Sequence, residues 1–164
     1  MVLCNFVPRM LDYDPRAVPL PRPLLGTKEP YFSFAGLKSA VLRARDAQIH
    51  RAEDIAASFQ QAVVDCLIDR TQRAIDVADG ATALVVAGGV AANQTIRAAL
   101  EGLAQKNGMP FIAPPLWLCT DNAAMIGSAA WYRWRSDGPT SLDSGAFPNL
   151  RLPLLDSTWA RGKN

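Results

Sequence analysis

The sequence predicts an α/β fold, and three observations carry that expectation. Residues 83–112 read as strand, helix and strand, about the length of a βαβ unit. A long amphipathic helix precedes that unit, and an apolar helix comes after it, beyond Pro114-Pro115. With 164 residues, 49% of them apolar and 20% charged, the chain has the size and composition of one globular domain.

Residues 1–13 show no period and are expected to be disordered or unrelated to the rest of the chain. Residues 14–30 contain Pro15, Pro19, Pro21, Pro23 and Pro30. Each proline removes a backbone donor and restricts its predecessor, so an extended connector is expected. A short strand or turn is expected at residues 31–34, with Phe32 and Phe34 either in the core or forming a stacking platform near Lys38. Leu37, Val41 and Leu42 have helical spacing, to about Arg45.

Residues 53–78 give the strongest helical signal. Ile55, Phe59, Ala62, Val63, Cys66 and Leu67 form one apolar stripe. Glu53 and Asp54 suit the positive end of the helix dipole, and Asp79-Gly80 marks a stop. Ala83-Leu84-Val85-Val86-Ala87 reads as a buried strand. Gly88-Gly89 breaks the strand, and from Ala91 a helix carries Ile96, Leu100, Leu103 and Ala104 and ends at Asn107-Gly108. Residues 109–112 supply the second strand, parallel to the first. Thr120 or Asp121 offers an N-cap for a last helix through Met125, Ile126 and Trp131.

Composition excludes several classes. Three cysteines without short spacing argue against a disulfide framework and for a reducing compartment. One histidine, His50, cannot form a His₂ zinc site, and it lies in a polar stretch expected to be exposed. No apolar run reaches the roughly 20 residues of a membrane span, and no signal-peptide pattern is present, so a cytoplasmic location is expected. Residues 1–51 carry eight basic against four acidic side chains, an excess that could meet a polyanion or simply be solvated. The sequence has no H-E-x-x-H, no G-x-S-x-G and no histidine placed to activate Ser or Cys, which argues against a peptidase.

Two places could carry chemistry. Gly88-Gly89-Val90-Ala91-Ala92-Asn93 is a strand-to-helix turn where a ligand could approach the backbone. Asn93 there is either a cap or a ligand contact. Cys119-Thr120-Asp121-Asn122 comes after a proline-stiffened loop. Asp121 is either an N-cap or an oxygen ligand for a cation, and Cys119 reads as a buried thiol.

These motifs occur together in a fixed order. Phe32-Ser33-Phe34-Ala35-Gly36-Leu37-Lys38 comes first, then Asp54-Ile55-Ala56 leading to Phe59, then Gly88-Gly89-Val90-Ala91-Ala92-Asn93, then Cys119-Thr120-Asp121-Asn122. The set resembles the tRNA threonylcarbamoyladenosine transferase family, TsaD, over about residues 14–135 and loosely to 155. The resemblance implies the second lobe of an actin-like ATPase fold spanning residues 14–155, with a small mixed sheet flanked by helices, and a tail at 156–164. It implies transfer of a threonylcarbamoyl group from threonylcarbamoyl-adenylate to the adenosine 3′ of the anticodon in tRNA. Gly88 and Gly89 would line the adenylate, Asn93 would contact substrate, and Asp121 would ligate one divalent metal, iron or zinc.

One departure is large. The family's N-terminal lobe, with its His-x-x-x-His metal ligands, has no counterpart in this sequence. The expectation is therefore an incomplete enzyme, inactive alone, whose metal site needs a separately encoded N-terminal lobe. The alternative is a non-catalytic fragment or docking module. It would bind a paralogous partner subunit, or another member of the same modification complex, through an exposed apolar face.

Overall fold

Helix α2 (Ala52–Val77) is the spine of the fold, because it is buried along two faces. The structure is a computed structural model that describes residues 13–78 and 80–145. The expectations for residues 1–12, for Asp79 and for the tail fall outside the described residues. Chain contacts divide the protein into two compact units, Met1–Thr120 and Asp121–Asn164.

In the first unit, one face of α2 packs against α1 (Ala35–Asp46) and the connector before it. Val18, Leu20, Leu37, Ile55 and Ala62 form this core, with Leu37 fully buried. Burying one such leucine stabilises by roughly 1.5–3 kcal/mol. The second face packs against α3 (Gln94–Lys106) through Val64, Ile96, Leu100 and Leu103. The stripe predicted for α3 is the one that is buried: Ile96, Leu100, Leu103 and Ala104. On α2 the burial is broader than one stripe, because two layers compete for it.

The proline-rich connector has no helix or strand of its own, as its composition requires. It is fastened to α2 by a series of polar contacts. The Val18 amide donates to Ser58 Oγ at 3.1 Å. Arg22 Nε donates to Asp65 Oδ2 at 3.0 Å. Arg70, with a side chain only 1% exposed, donates to Thr27 Oγ1 at 2.6 Å, to the Glu29 carbonyl at 2.8 Å and to the Asp69 carboxylate. Partners advance in the same direction on both segments, so the connector runs parallel to α2.

Phe32 and Phe34 correct an expectation. Of the two readings, the core one fails: they are 50% and 37% exposed, and no strand forms at residues 31–34. Phe34 occupies the N-cap position of α1, where the chain leaves the α2 surface, and Leu37 is the residue that reaches the core.

Strand β1 (Leu84–Val85) pairs with β2 (Phe111–Ile112) in parallel, with Leu84 opposite Phe111 and Val85 opposite Ile112. The prediction of a mixed sheet is corrected: among the described residues the sheet is this parallel pair. Its strands are joined through α3, and a parallel pair needs such a crossover. Leu84, Val86 and Phe111 pack toward α2 and α3, whereas Val85 and Ile112 are 64% and 52% exposed. Among the described residues of this unit, helices therefore cover one face of the pair.

In the second unit, α4 (Ala123–Asp137) begins at Asn122, whose Oδ1 accepts the Met125 amide at 2.9 Å. The cap is thus Asn122, and neither Thr120 nor Asp121. No helix among the described residues is long and apolar enough to cross a membrane.

Candidate functional site

The carboxyl ends of β1 and β2 lie side by side, and in parallel α/β sheets ligands bind outside those ends. β1 runs into Gly88 and a short 3-10 turn, Gly89–Ala92. β2 runs into Ala113-Pro114-Pro115 and a second such turn, Leu116–Leu118. Gly88 has φ 88°, a conformation that L side chains rarely adopt, so the turn requires glycine there. Gly89 has no such constraint, yet it too is exposed, and open space lies where a side chain would be on either residue. A ligand can therefore come against the bare backbone.

Asn93 has both ends of its amide engaged. It is 5% exposed, and it caps α3 by accepting the Ile96 amide at 3.1 Å on Oδ1. Its Nδ2 donates to Gln60 Oε1 on α2 at 3.0 Å. A matching clasp closes the other end of α3. Asn107 and Gln72 exchange amide hydrogen bonds at 2.9 and 3.0 Å. Together the clasps hold α3 parallel to α2 and fix where the glycine turn begins. Of the two roles expected for Asn93, the cap is formed.

Arg97 is a residue that the sequence reading missed. Its Nε donates to the Ala91 carbonyl at 3.0 Å, inside the glycine turn. Its second nitrogen, Nη2, donates to the Pro114 carbonyl at 2.9 Å and to Cys119 Sγ at 3.3 Å. One guanidinium therefore ties together the loops that leave the two strands. A signal was present: a cation near a helix N-terminus opposes the helix dipole, so it needs specific acceptors. Cys119 is 2% exposed and takes part in this clasp, as a buried thiol should. Burial pushes the pKa of the other described cysteine, Cys66, above its ordinary value, so at neutral pH Cys66 is a thiol.

Asp121 lies in the second unit, is exposed and directly precedes the α4 cap. Gly88, Gly89 and Asn93 are brought together in the first unit. Among the described residues no group of three or more His, Cys, Asp or Glu is placed to hold a metal ion. A stable site takes several ligands, so these residues do not fit a complete metal centre.

The glycine turn at the carboxyl ends of two parallel strands joined through a helix places the protein among α/β proteins. Comparison with known proteins makes this specific. The family model for tRNA N6-adenosine threonylcarbamoyltransferase, TsaD, matches residues 7–128, starting ahead of Asp14. The chain belongs to this family. It is 63% identical over 143 residues to the enzyme of that name from Erythrobacter litoralis, covering 87% of this chain and 41% of that protein. Against that of Novosphingobium aromaticivorans it is 61% identical over 142 residues, covering 86% and 40%. Against that of Gluconobacter oxydans it is 50% identical over 155 residues, covering 88% and 42%. The chain thus spans about two fifths of the length of the curated relatives it matches.

Proposed function

We propose that this chain supplies the nucleotide-facing part of a tRNA threonylcarbamoyltransferase site. The observation that carries this reading is the exposed Gly88-Gly89 backbone, held at the strand ends by Asn93 and Arg97. The adenylate of threonylcarbamoyl-adenylate lies against that turn. The adenosine N6 of tRNA attacks the carbamoyl carbonyl, the new N–C bond forms, the C–O bond to phosphate breaks, and AMP leaves. The work of this chain is to hold the adenylate in place. Asn93 fixes the turn, and its amide keeps a second N–H with which to contact substrate.

The metal and the rest of the site come from residues outside these 164. Asp121 would supply one carboxylate to such an iron or zinc centre only with further ligands from elsewhere, so the chain alone is expected to be inactive. The reading places it in the cytoplasm with the tRNA-modification machinery. Complementation tests it directly. Cells depleted of their own transferase receive this chain with or without a separately encoded N-terminal lobe, and threonylcarbamoyladenosine in tRNA is measured by mass spectrometry. Modification is expected only when both pieces are present, with metal retained by the assembled pair and lost in Asp121→Ala. Modification by the chain alone overturns the reading of incompleteness.

A second reading draws on one observation, the exposure of Val85 and Ile112 on a parallel strand pair. Parallel strands are ordinarily covered on both faces, so this face suits a docked subunit of the same complex. In that case neither arm of the complementation yields modified tRNA, and a partner subunit is retained in pull-down.

A further inference from the structure

A second concave site lies away from the glycine turn, between the connector and α1. It is a cleft of about 550 Å³, within the size range of small-ligand sites. Pro19 and Pro21 of the connector and Ala40 and Ala44 of α1 form an apolar wall over the buried Val18 and Leu20. Arg43 and His50 complete the lining. Expected on the surface, the histidine is in fact half-buried here.

The charges of this cleft are unbalanced. Among the described residues, neither the Arg43 guanidinium nor the His50 imidazole makes a hydrogen bond or an ion pair. Arg22 also lines the cleft, and Asp65 faces it from behind at 3.0 Å. Of the carboxylates nearby in sequence, Asp46 is taken by Arg45 and Glu53 lies 3.9 Å from Arg51. The cleft therefore presents the Arg43 guanidinium and the His50 imidazole beside an apolar wall, with no carboxylate among its lining residues. It lies in the part of the chain, residues 1–51, that carries the positive excess.

We propose that this cleft binds a phosphate joined to a nucleoside. Arg43 and His50 would take the anion, and the exposed Pro19 and Pro21 would take the sugar or base. A guanidinium offers paired donors that match phosphate oxygens. The carrier of that phosphate is the backbone of RNA, and this choice of carrier rests on the proposed function above. The cleft would then hold a stretch of tRNA away from the reacting adenosine.

The test is titration of the ¹⁵N-labelled full chain with inorganic phosphate, AMP, a single-stranded oligoribonucleotide and tRNA. Oligoribonucleotide and tRNA are expected to shift the amides of Val18, Leu20, Arg22, residues 40–44 and His50, with Gly88 and Gly89 unmoved by the oligoribonucleotide. Arg43→Gln should weaken that binding about tenfold, the loss expected for one charged hydrogen bond. It should also reduce the slope of log affinity against log salt by about 0.7, the value for one phosphate contact on a single strand. Arg43→Lys should keep the slope, and since Arg43 is exposed both variants should melt as the parent does. AMP binding the cleft as tightly as the oligoribonucleotide would keep the site and make a free nucleotide its occupant. No shift at the cleft with any ligand, or unchanged binding by Arg43→Gln, overturns the proposal. Binding is read without any transfer reaction, so failure of the complementation leaves this result standing.

Discussion

Gly88 and Gly89 are neighbours with different duties. Gly88 is held at φ 88°, so Gly88→Ala should destabilise the fold by about 1–3 kcal/mol in urea unfolding. Gly89 has neither a positive φ nor a neighbour within 4 Å, so Gly89→Ala should leave the unfolding midpoint nearly unchanged. In an assembled enzyme Gly89→Ala should still lower affinity for an adenylate analogue, because a methyl group would fill the space that a nucleotide needs. Unchanged affinity would remove Gly89 from the binding surface. Asn93→Ala loses a cap and a clasp together and should cost about 1–2 kcal/mol. Arg97→Gln should release Cys119, read as faster labelling by a thiol reagent in the folded protein. The glycine turn was legible in the sequence because glycine pairs leave a local signature. Arg97 was not, because its acceptors lie 6, 17 and 22 residues away along the chain.

At the scale of elements, the helices were readable and the strands were readable only in part. Helices α2 and α3 declare themselves by period; α2 is found within a residue of its predicted limits, whereas α3 begins at Gln94, three residues after the predicted start at Ala91, because Gly89–Ala92 form a 3-10 turn. The strands shrink to two residues each, since only Leu84–Val85 and Phe111–Ile112 find a partner. The fastening of the connector to α2 could not be read, because it depends on pairs some 40 residues apart. Its electrostatics give a pH signature. The Arg70 guanidinium, helped by the Gly26 amide, holds the Asp69 carboxyl below its usual pKa. Asp69 therefore adds stability that is present above the ordinary carboxylate range, near pH 4, and is lost as pH falls through its lowered folded value. Urea unfolding between pH 2 and 6 should show Asp69→Asn losing stability at the upper end and matching the parent at the lower. Arg70→Ala should cost on the order of 2–3 kcal/mol, because its buried donors serve two segments at once.

For the whole molecule, family membership was legible from four ordered motifs, and the comparisons bear it out. The coverage of one sheet face was not, because the sequence of a strand does not say what lies above it. Val85 and Ile112 stand opposite each other on the exposed side of the pair. Concentrated solutions should therefore show self-association by sedimentation, and Val85→Lys should reduce it without shifting the unfolding midpoint. Equal sedimentation of parent and variant would show that this face does not drive assembly.

The contacts between connector and α2 have a kinetic consequence. Val18 to Ser58, Arg22 to Asp65 and Thr27 to Arg70 are separated by 40, 43 and 43 residues. Each therefore closes a loop of nearly the same size. The entropy of closure depends on loop length only logarithmically, so the first contact to form bears almost all of it and the others form at little further loss. The segment should zip and unzip as one. In native-state hydrogen exchange the Val18 and Gly26 amides, which donate to Ser58 and Asp69, should share a single opening free energy despite lying eight residues apart.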